Sequence, residues 1–214
     1  MSRRPESRGA RTDAPPAAPA AEPRSWVPRY LCNVLLWLLP VWAAWALATP
    51  AYNGFLLASG ANLLHLTERP AVTIFHRLDA DDAGVERRDF PPGRALAGSF
   101  RVTDLHFHLV LLAALFLAVP GISWRRRLEN LGWAVLATVF FDIFLVFLYV
   151  KFLYATQLGT WSLAHYGALA RNVYGLGKHL LDLPYKLGLP FALWAGFYLH
   201  LVGRGVSAAA AADR

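Results

Sequence analysis

A single carboxylate, Asp142, stands inside the run LENLGWAVLATVFFDIFLVFLYVKFL at positions 128–153. An acid in such surroundings needs a partner or a task. About 20 apolar residues cross the hydrocarbon core of a bilayer, and an ionisable side chain at that depth carries a penalty of about 2.5–3.5 kcal/mol on insertion scales. Counted from the ends of the apolar segments, Asp142 falls level with Pro40, with Ala113 and Ala114, and with Gly196. His200 lies one helical turn further along the last apolar segment, about 6 Å at 1.5 Å per residue, which puts an Asp142–His200 contact within reach. Pro40 lacks an N–H and frees the carbonyl of Leu36, a further polar group at membrane depth. Asp142, His200 and Pro40 are therefore the intramembrane polar candidates. Two readings stay open for them: a proton- or ligand-coupled site, or a structural polar contact that locks the helices together.

The chain's 7 histidines offer metal, haem or acid-sensing chemistry. His65, His76, His106, His108, His165 and His179 are expected at or beyond one membrane face, and His200 toward the other. His106 and His108, at i and i+2, diverge on a helix and converge only on extended chain. Asp104 and His108, at i and i+4, share a helical face. Asp104, His106 and His108 are thus the outer-face candidates. A haem held by His106 and His200 is disfavoured, because the two fall at opposite faces. No cofactor and no metal are predicted. The one cysteine, Cys32, has no histidine near it in the sequence and so lacks the base that a thiolate nucleophile needs. Ser99 and Ser162 lie in no recognisable nucleophile elbow. Gly175-Leu176-Gly177-Lys178 lacks the strand and the glycine spacing of a phosphate loop. No catalytic residue is assigned.

The elements that must position these groups are apolar. Hydrophobic residues make up 56% of the chain and charged ones 16%, against about 25% charged in soluble domains. The expected fold is an all-α integral membrane protein, a four-span helical bundle over 29–204. Its spans are 30–49, 105–122, 131–153 and 187–202. A Pro/Ala/Arg-rich tail over 1–28 and a short tail over 205–214 are expected to be cytoplasmic, the first of them disordered. The formal charge of +7 does not indicate a nucleic-acid partner, since no basic face alternates with aromatics. The basic residues instead read as topology signals and lipid contacts: Arg24 and Arg29 before the first span, Trp124 with Arg125, Arg126 and Arg127 between the second and third, and Arg204 after the fourth. All fall on one side if both termini are cytoplasmic.

Two outer segments remain, 50–104 and 154–186. Tyr52–Leu66 is expected as a separate helix lying on the outer surface. AVTIFHRL (71–78) and RALAGSFRV (94–102) read as two short strands of a hairpin, with the acidic, Pro/Gly-containing stretch 79–93 as its connection. Leu169, Val173, Leu176 and Leu180 recur at i, i+4, i+7 and i+11, the stripe of an interfacial amphipathic helix.

LVLLAALFLAVPGISWRRRLENLGWAVLATVFFDIFLVFLYV (109–150) joins two apolar segments through a Pro-Gly break and a Trp-Arg-Arg-Arg-Leu step. It resembles the later membrane helices of exosortase- and archaeosortase-type proteins. The resemblance is closer to the small exosortase H-associated membrane proteins, with Phe141-Asp142 and the Pro190–Trp194 segment as further points of likeness. The layout is shared over about 30–202 and the residues over about 109–150. Exosortases use an outward-facing Cys with Arg and His partners, whereas this chain has no Cys in the outer halves of its spans, so no catalytic residue carries over. The resemblance implies a non-catalytic accessory of an envelope protein-sorting system in a bacterial inner membrane. Its partners would be the lipid bilayer and an exosortase-like integral membrane protein. The alternatives from other classes are a proton- or small-solute-coupled subunit using Asp142 and His200, and a redox, haem- or metal-binding membrane subunit.

Overall fold

The first apolar segment does not stop where its hydropathy falls. Helix α1 runs over Trp26–Thr67, 42 residues with both Pro40 and Pro50 inside it, about 63 Å at 1.5 Å per residue. The helix expected separately over Tyr52–Leu66 is its second half. Each proline removes one intrahelical bond. That loss is outweighed by the burial of Leu56 and Leu64 further along, and Thr49 Oγ1 donates to the Trp45 carbonyl at 2.8 Å beside Pro50. This computed structural model describes residues 26–91 and 96–212, with the side chains among them except those of Trp26, Leu96, Leu183 and 200–212. The tail expected over 1–28 lies almost wholly outside the described residues.

After α1 come strands β1 (Thr73–Arg77), β2 (Asp82–Arg87) and β3 (Leu96–Arg101). They form an antiparallel sheet in the order β1-β2-β3. The two-strand hairpin expected from the sequence is therefore incorrect. The expected strands are both present, but they do not pair with each other, and the stretch taken as their connection supplies the central strand. Phe75 and Gly98 both face Val85 across the ladder. Strand β2 escapes a hydropathy reading because its inward positions are Ala83, Val85 and Arg87. An inward arginine breaks the apolar alternation by which strands are read.

Helices α2 (Thr103–His106), α3 (His108–Leu117), α4 (Trp124–Thr156), α5 (Thr160–His165) and α6 (Ala168–Ala212) complete the chain. Helix α3 stops short of the expected Ile122, ahead of Pro120 and of Gly121, whose φ of 76° favours glycine. Helix α6 joins the expected amphipathic helix to the expected fourth span without a break, through Pro184 and Pro190. Its stripe Leu169, Val173, Leu176 and Leu180 is exposed, and Leu187 and Phe191 extend it.

α1, α3, α4 and α6 pack as an alternating bundle. Near one end, Tyr30 Oη donates to the Leu115 carbonyl at 3.2 Å, and Asn130 Nδ2 donates to Tyr198 Oη at 3.2 Å. The start of α1 thus meets the end of α3, and the start of α4 meets the late part of α6. A core of Tyr30, Leu112, Phe116, Ala134 and Tyr198 fills this end. The sheet sits at the other end, on the second halves of α1 and α4, over Leu56, Leu64, Val85, Phe100, Val146 and Leu153. Among the described residues, two helical stretches are long and apolar enough to cross a membrane, Val27–Thr67 and Trp124–Thr156, and a third apolar stretch, Thr103–Leu117, is shorter.

α1 packs tightly against α4 at Gly60. A Cβ there would lie 2.5 Å from Val146 Cγ1, well inside van der Waals contact. Gly60→Ala is expected to destabilise the fold by about 1–3 kcal/mol, the usual range for overpacking, and Val146→Ala in the same chain should restore most of the loss. Thermal unfolding of the single and double variants in detergent measures both.

Candidate functional site

Asp142 lies on the buried face of α4, below Ala134 and Thr138 at successive i+4 steps. Its partners are not those expected from depth counting. Tyr52 Oη donates to Asp142 Oδ2 at 2.8 Å. His108 Nε2 lies 3.4 Å from Asp142 Oδ1, with both side chains 0% exposed, although that pair lacks hydrogen-bond geometry. The Tyr185 hydroxyl interacts with the same carboxyl, again outside regular hydrogen-bond geometry. The Lys186 charge is close enough to act on Asp142 and on His108, while its ammonium pairs with Asp182.

The expected level of Asp142 is thus displaced toward the sheet. It meets Tyr52 rather than Pro40, His108 rather than Ala113 and Ala114, and Tyr185 and Lys186 rather than Gly196. The first apolar run ends at Thr49, whereas α1 continues to Thr67. Pro40 is exposed and lies twelve residues before Tyr52, about 18 Å along the helix. His200 belongs to α6, and its side chain lies outside the described residues.

His106 and His108 both turn inward and are 0% exposed. They leave the helix on different sides, and both sides are covered: His106 faces Asn53, Trp45 and Tyr52 of α1, and His108 faces Asp142 of α4 and Tyr185 of α6. Phe107 between them is exposed and keeps helical backbone angles, φ −59° and ψ −23°. Asp104 is exposed and His108 buried, so this i, i+4 pair forms no joint site.

From His106 a polar chain leads outward. Its Nε2 is 2.6 Å from Asn53 Oδ1. Asn53 Nδ2 reaches Asp81 Oδ1 at 3.5 Å and Thr103 Oγ1 at 3.4 Å, and Thr103 Oγ1 donates to Asp81 Oδ1 at 2.7 Å. A carboxylate only accepts, so the Asn53 amide nitrogen faces Asp81 and the amide oxygen faces the histidine. His106 Nε2 is therefore the donor. Among the described residues its Nδ1, like His108 Nε2 and Asp142 Oδ1, forms no hydrogen bond of regular geometry. The Tyr52 ring lies edge-on to His106 at 4.9 Å while its hydroxyl holds Asp142, so one side chain touches both ends of the cluster.

The remaining histidines are dispersed. His65 bonds the Thr73 carbonyl, His76 meets Glu86, and His165 stacks on Trp161. Among the described residues no group of three or more His, Cys, Asp or Glu side chains comes together as a metal site. Cys32 is exposed on α1. Of the basic turn, Arg125 and Arg126 are exposed. Arg127 instead donates to the carbonyls of Leu117 at 2.8 Å and Ile122 at 3.0 Å, capping α3. Trp124 stacks on Trp37 at 5.6 Å.

A second polar cluster, which nothing in the sequence marked, fastens the sheet to the bundle. The Arg87 guanidinium lies 4.5 Å from the Trp161 ring centroid and 4.7 Å from that of Tyr154. It also donates to both oxygens of Asp89, at 2.9 and 2.6 Å. These bonds hold the Asp89 carboxyl below its ordinary pKa. A carboxylate so depressed contributes stability above its unfolded value near about pH 4, and the contribution is lost as pH falls through the folded value. Acidification is therefore expected to loosen the sheet, in an acid-limb step of Trp161 fluorescence that Asp89→Asn removes.

No protein-family model, curated protein or solved structure matches the chain.

Proposed function

We propose that the chain is a non-catalytic, multi-pass protein of a bacterial inner membrane. In this reading it spans four times, with both termini and the Arg125–Arg127 turn cytoplasmic and the sheet outside. It serves an exosortase-like envelope protein-sorting system as an accessory subunit. The observation that carries the membrane reading is the bare apolar face of the bundle. Leu31, Leu35, Leu36, Leu39, Trp42 and Leu47 of α1 are each at least half exposed, as are Trp133 and Phe140 of α4 and Phe191 and Leu199 of α6. Contiguous apolar surface on this scale needs lipid or another apolar helix to cover it. The alternating helix directions also support the topology, because they bring Arg29 and the Arg125–Arg127 turn to the end opposite the sheet. The accessory role rests on the resemblance over 109–150. Its test is mass spectrometry of what co-purifies with the tagged chain from native membranes in mild detergent. An exosortase-like protease, or proteins with C-terminal sorting tails, is the expected outcome. Transport or respiratory subunits in their place would overturn it.

A specific observation favours a second reading, proton handling at Asp142. The buried carboxyl has imidazole, phenol and ammonium groups around it, and intramembrane ionisable groups so arranged serve in proton relays. Asp142→Asn should then abolish the coupled activity while keeping the Tyr52 hydrogen bond. An unchanged flux in reconstituted vesicles would remove this reading.

A further inference from the structure

We propose that the cleft between α1 and the free edge of β1 binds an extended acidic peptide segment of a partner protein, which adds to the sheet as a fourth strand. The inference goes beyond both functional readings above and depends on neither.

Three observations carry it. The first is an open sheet edge. The Arg88 N–H donates to the Val72 carbonyl at 3.0 Å, and the Leu78 N–H to the Asp82 carbonyl at 3.0 Å. With the β1–β2 register, the ladder bonds of β1 fall at its even-numbered positions, so the backbone groups of Thr73, Phe75 and Arg77 face the free edge. Those of Thr73 are taken, the N–H by Glu68 at 3.1 Å and the carbonyl by His65 Nε2 at 3.0 Å. Among the described residues, no hydrogen bond reaches those of Phe75 and Arg77. The second observation is space beside that edge. A cleft of about 390 Å³ lies between Gly54, Ala58 and Ala61 of α1 and Thr73, Phe75 and Arg77 of β1, a volume in the range of about 300–1,000 Å³ that ligand sites occupy. Gly54, Ala58 and Ala61 share one helical face and carry at most a methyl group, so α1 leaves the strand edge uncovered. The third is charge. Arg77, Arg88 and His65 line the cleft, and both arginines are exposed. Among the described residues no acidic side chain lines it, and neither arginine forms an ion pair.

These features select the occupant. Alternating backbone donors and acceptors are matched by the backbone of an extended peptide, which neither a lipid headgroup nor a small anion reproduces. Arg88 stands at the start of β1, bonded to Val72. Arg77 ends the strand, and a Cβ on Gly54 would lie 3.7 Å from its Nη2, so the missing side chain there leaves room for the guanidinium. Val72 and Arg77 are five residues apart, about 16 Å at 3.3 Å per residue. The segment that fits therefore carries an acidic side chain toward each end. Between them it carries small or β-branched residues, which suit a strand and pass the methyl-lined wall of α1.

The test is fluorescence anisotropy of a rhodamine-labelled peptide amide, Glu-Thr-Val-Thr-Val-Glu, added to the full chain in phosphatidylcholine nanodiscs. Saturable binding below about 100 µM is expected, and the same peptide with Lys for Glu should not bind. Arg77→Gln and Arg88→Gln, at exposed positions, should each weaken binding about tenfold, the loss of one charged hydrogen bond. Ala58→Trp fills the cleft from an exposed position and should abolish binding. Two further probes, N-methylated on alternate backbone nitrogens of one parity or the other, separate strand addition from charge attraction, and they do so on the parent chain. Only every second N–H of an added strand faces the edge, so one methylated probe should lose binding and the other keep it. The proposal is overturned by no saturable binding of the Glu peptide, by equal binding of the Lys peptide, or by equal affinities of the two methylated probes. Parent-like affinity in Ala58→Trp or in both arginine variants overturns it too. Arginine-dependent binding of phosphatidylglycerol vesicles without binding of the peptide would assign the cleft to lipid instead.

Discussion

Removing the Glu68 carboxylate should be the most damaging single change in this protein. The Glu68→Ala variant is expected to lose about 3–5 kcal/mol, the range for breaking a buried ion pair from one side. Glu68 sits just past the end of α1, where one of its oxygens accepts from the backbone N–H of Val72 at 3.3 Å and of Thr73 at 3.1 Å. The other accepts from Thr73 Oγ1 at 2.6 Å and faces Lys151 Nζ at 3.5 Å. The two side chains are 7% and 11% exposed, so deleting the acid leaves an ammonium of α4 stranded among Phe147 and the sheet. It also frees the start of β1, and Thr73 Oγ1 keeps only Tyr154 Oη, at 2.7 Å. Lys151→Met in the Glu68→Ala background should recover much of the loss, because the desolvation of the lone charge then disappears. Unfolding midpoints of the two single variants and the double variant in detergent decide this. Additive losses would show that the pair does not act as one unit.

The second large effect belongs to Asp142. Asp142→Leu is expected to destabilise the bundle by about 3 kcal/mol, the upper end of the penalty for orphaning a buried polar group, because it strands the Tyr52 hydroxyl beside two imidazoles. Asp142→Asn keeps an acceptor for Tyr52 and should lose less than about 1 kcal/mol. Tyr52→Phe should be harmful in the parent and nearly neutral in Asp142→Leu, since its hydrogen bond at 2.8 Å is already gone. The same unfolding measurement on the four chains of this cycle checks the coupling. Equal effects of Tyr52→Phe in both backgrounds would contradict the pairing.

Much of the scaffold was legible in the sequence, for plain reasons. Long apolar runs gave the helices, and the i, i+4, i+7, i+11 stripe gave the exposed face of α6. The β-rich segments over 71–78 and 94–102 gave two of the three strands. Asp142 stood out because nothing around it was polar. Its partners did not stand out, and each was hidden by a different physical cause. Tyr52 was hidden because hydropathy falls after Thr49 while the helix continues to Thr67, so the apolar run understates the reach of α1. His106 and His108 were hidden because their side chains leave the helix on different sides, and only the fold shows that α1 covers one side and α4 and α6 the other. Strand β2 was hidden because Arg87 points inward and finds its compensation in Tyr154 and Trp161, far away in sequence. Glu68 and Lys151 look like ordinary charges until the fold brings the end of α1 against α4. Pairing across distant segments is a tertiary fact, and local periodicity does not carry it.

The central claim is that the sheet and the arginine turn lie on opposite sides of a membrane, with the Asp142 cluster between them. Thiol labelling tests it most directly. In a Cys32→Ser background, single cysteines are placed by Asp79→Cys, in the exposed turn between β1 and β2, and by Arg125→Cys, on the exposed first turn of α4. An impermeant maleimide added to intact cells should label Asp79→Cys and should label Arg125→Cys only after the membrane is permeabilised. Labelling of both positions in intact cells, or of neither until permeabilisation, would contradict the account.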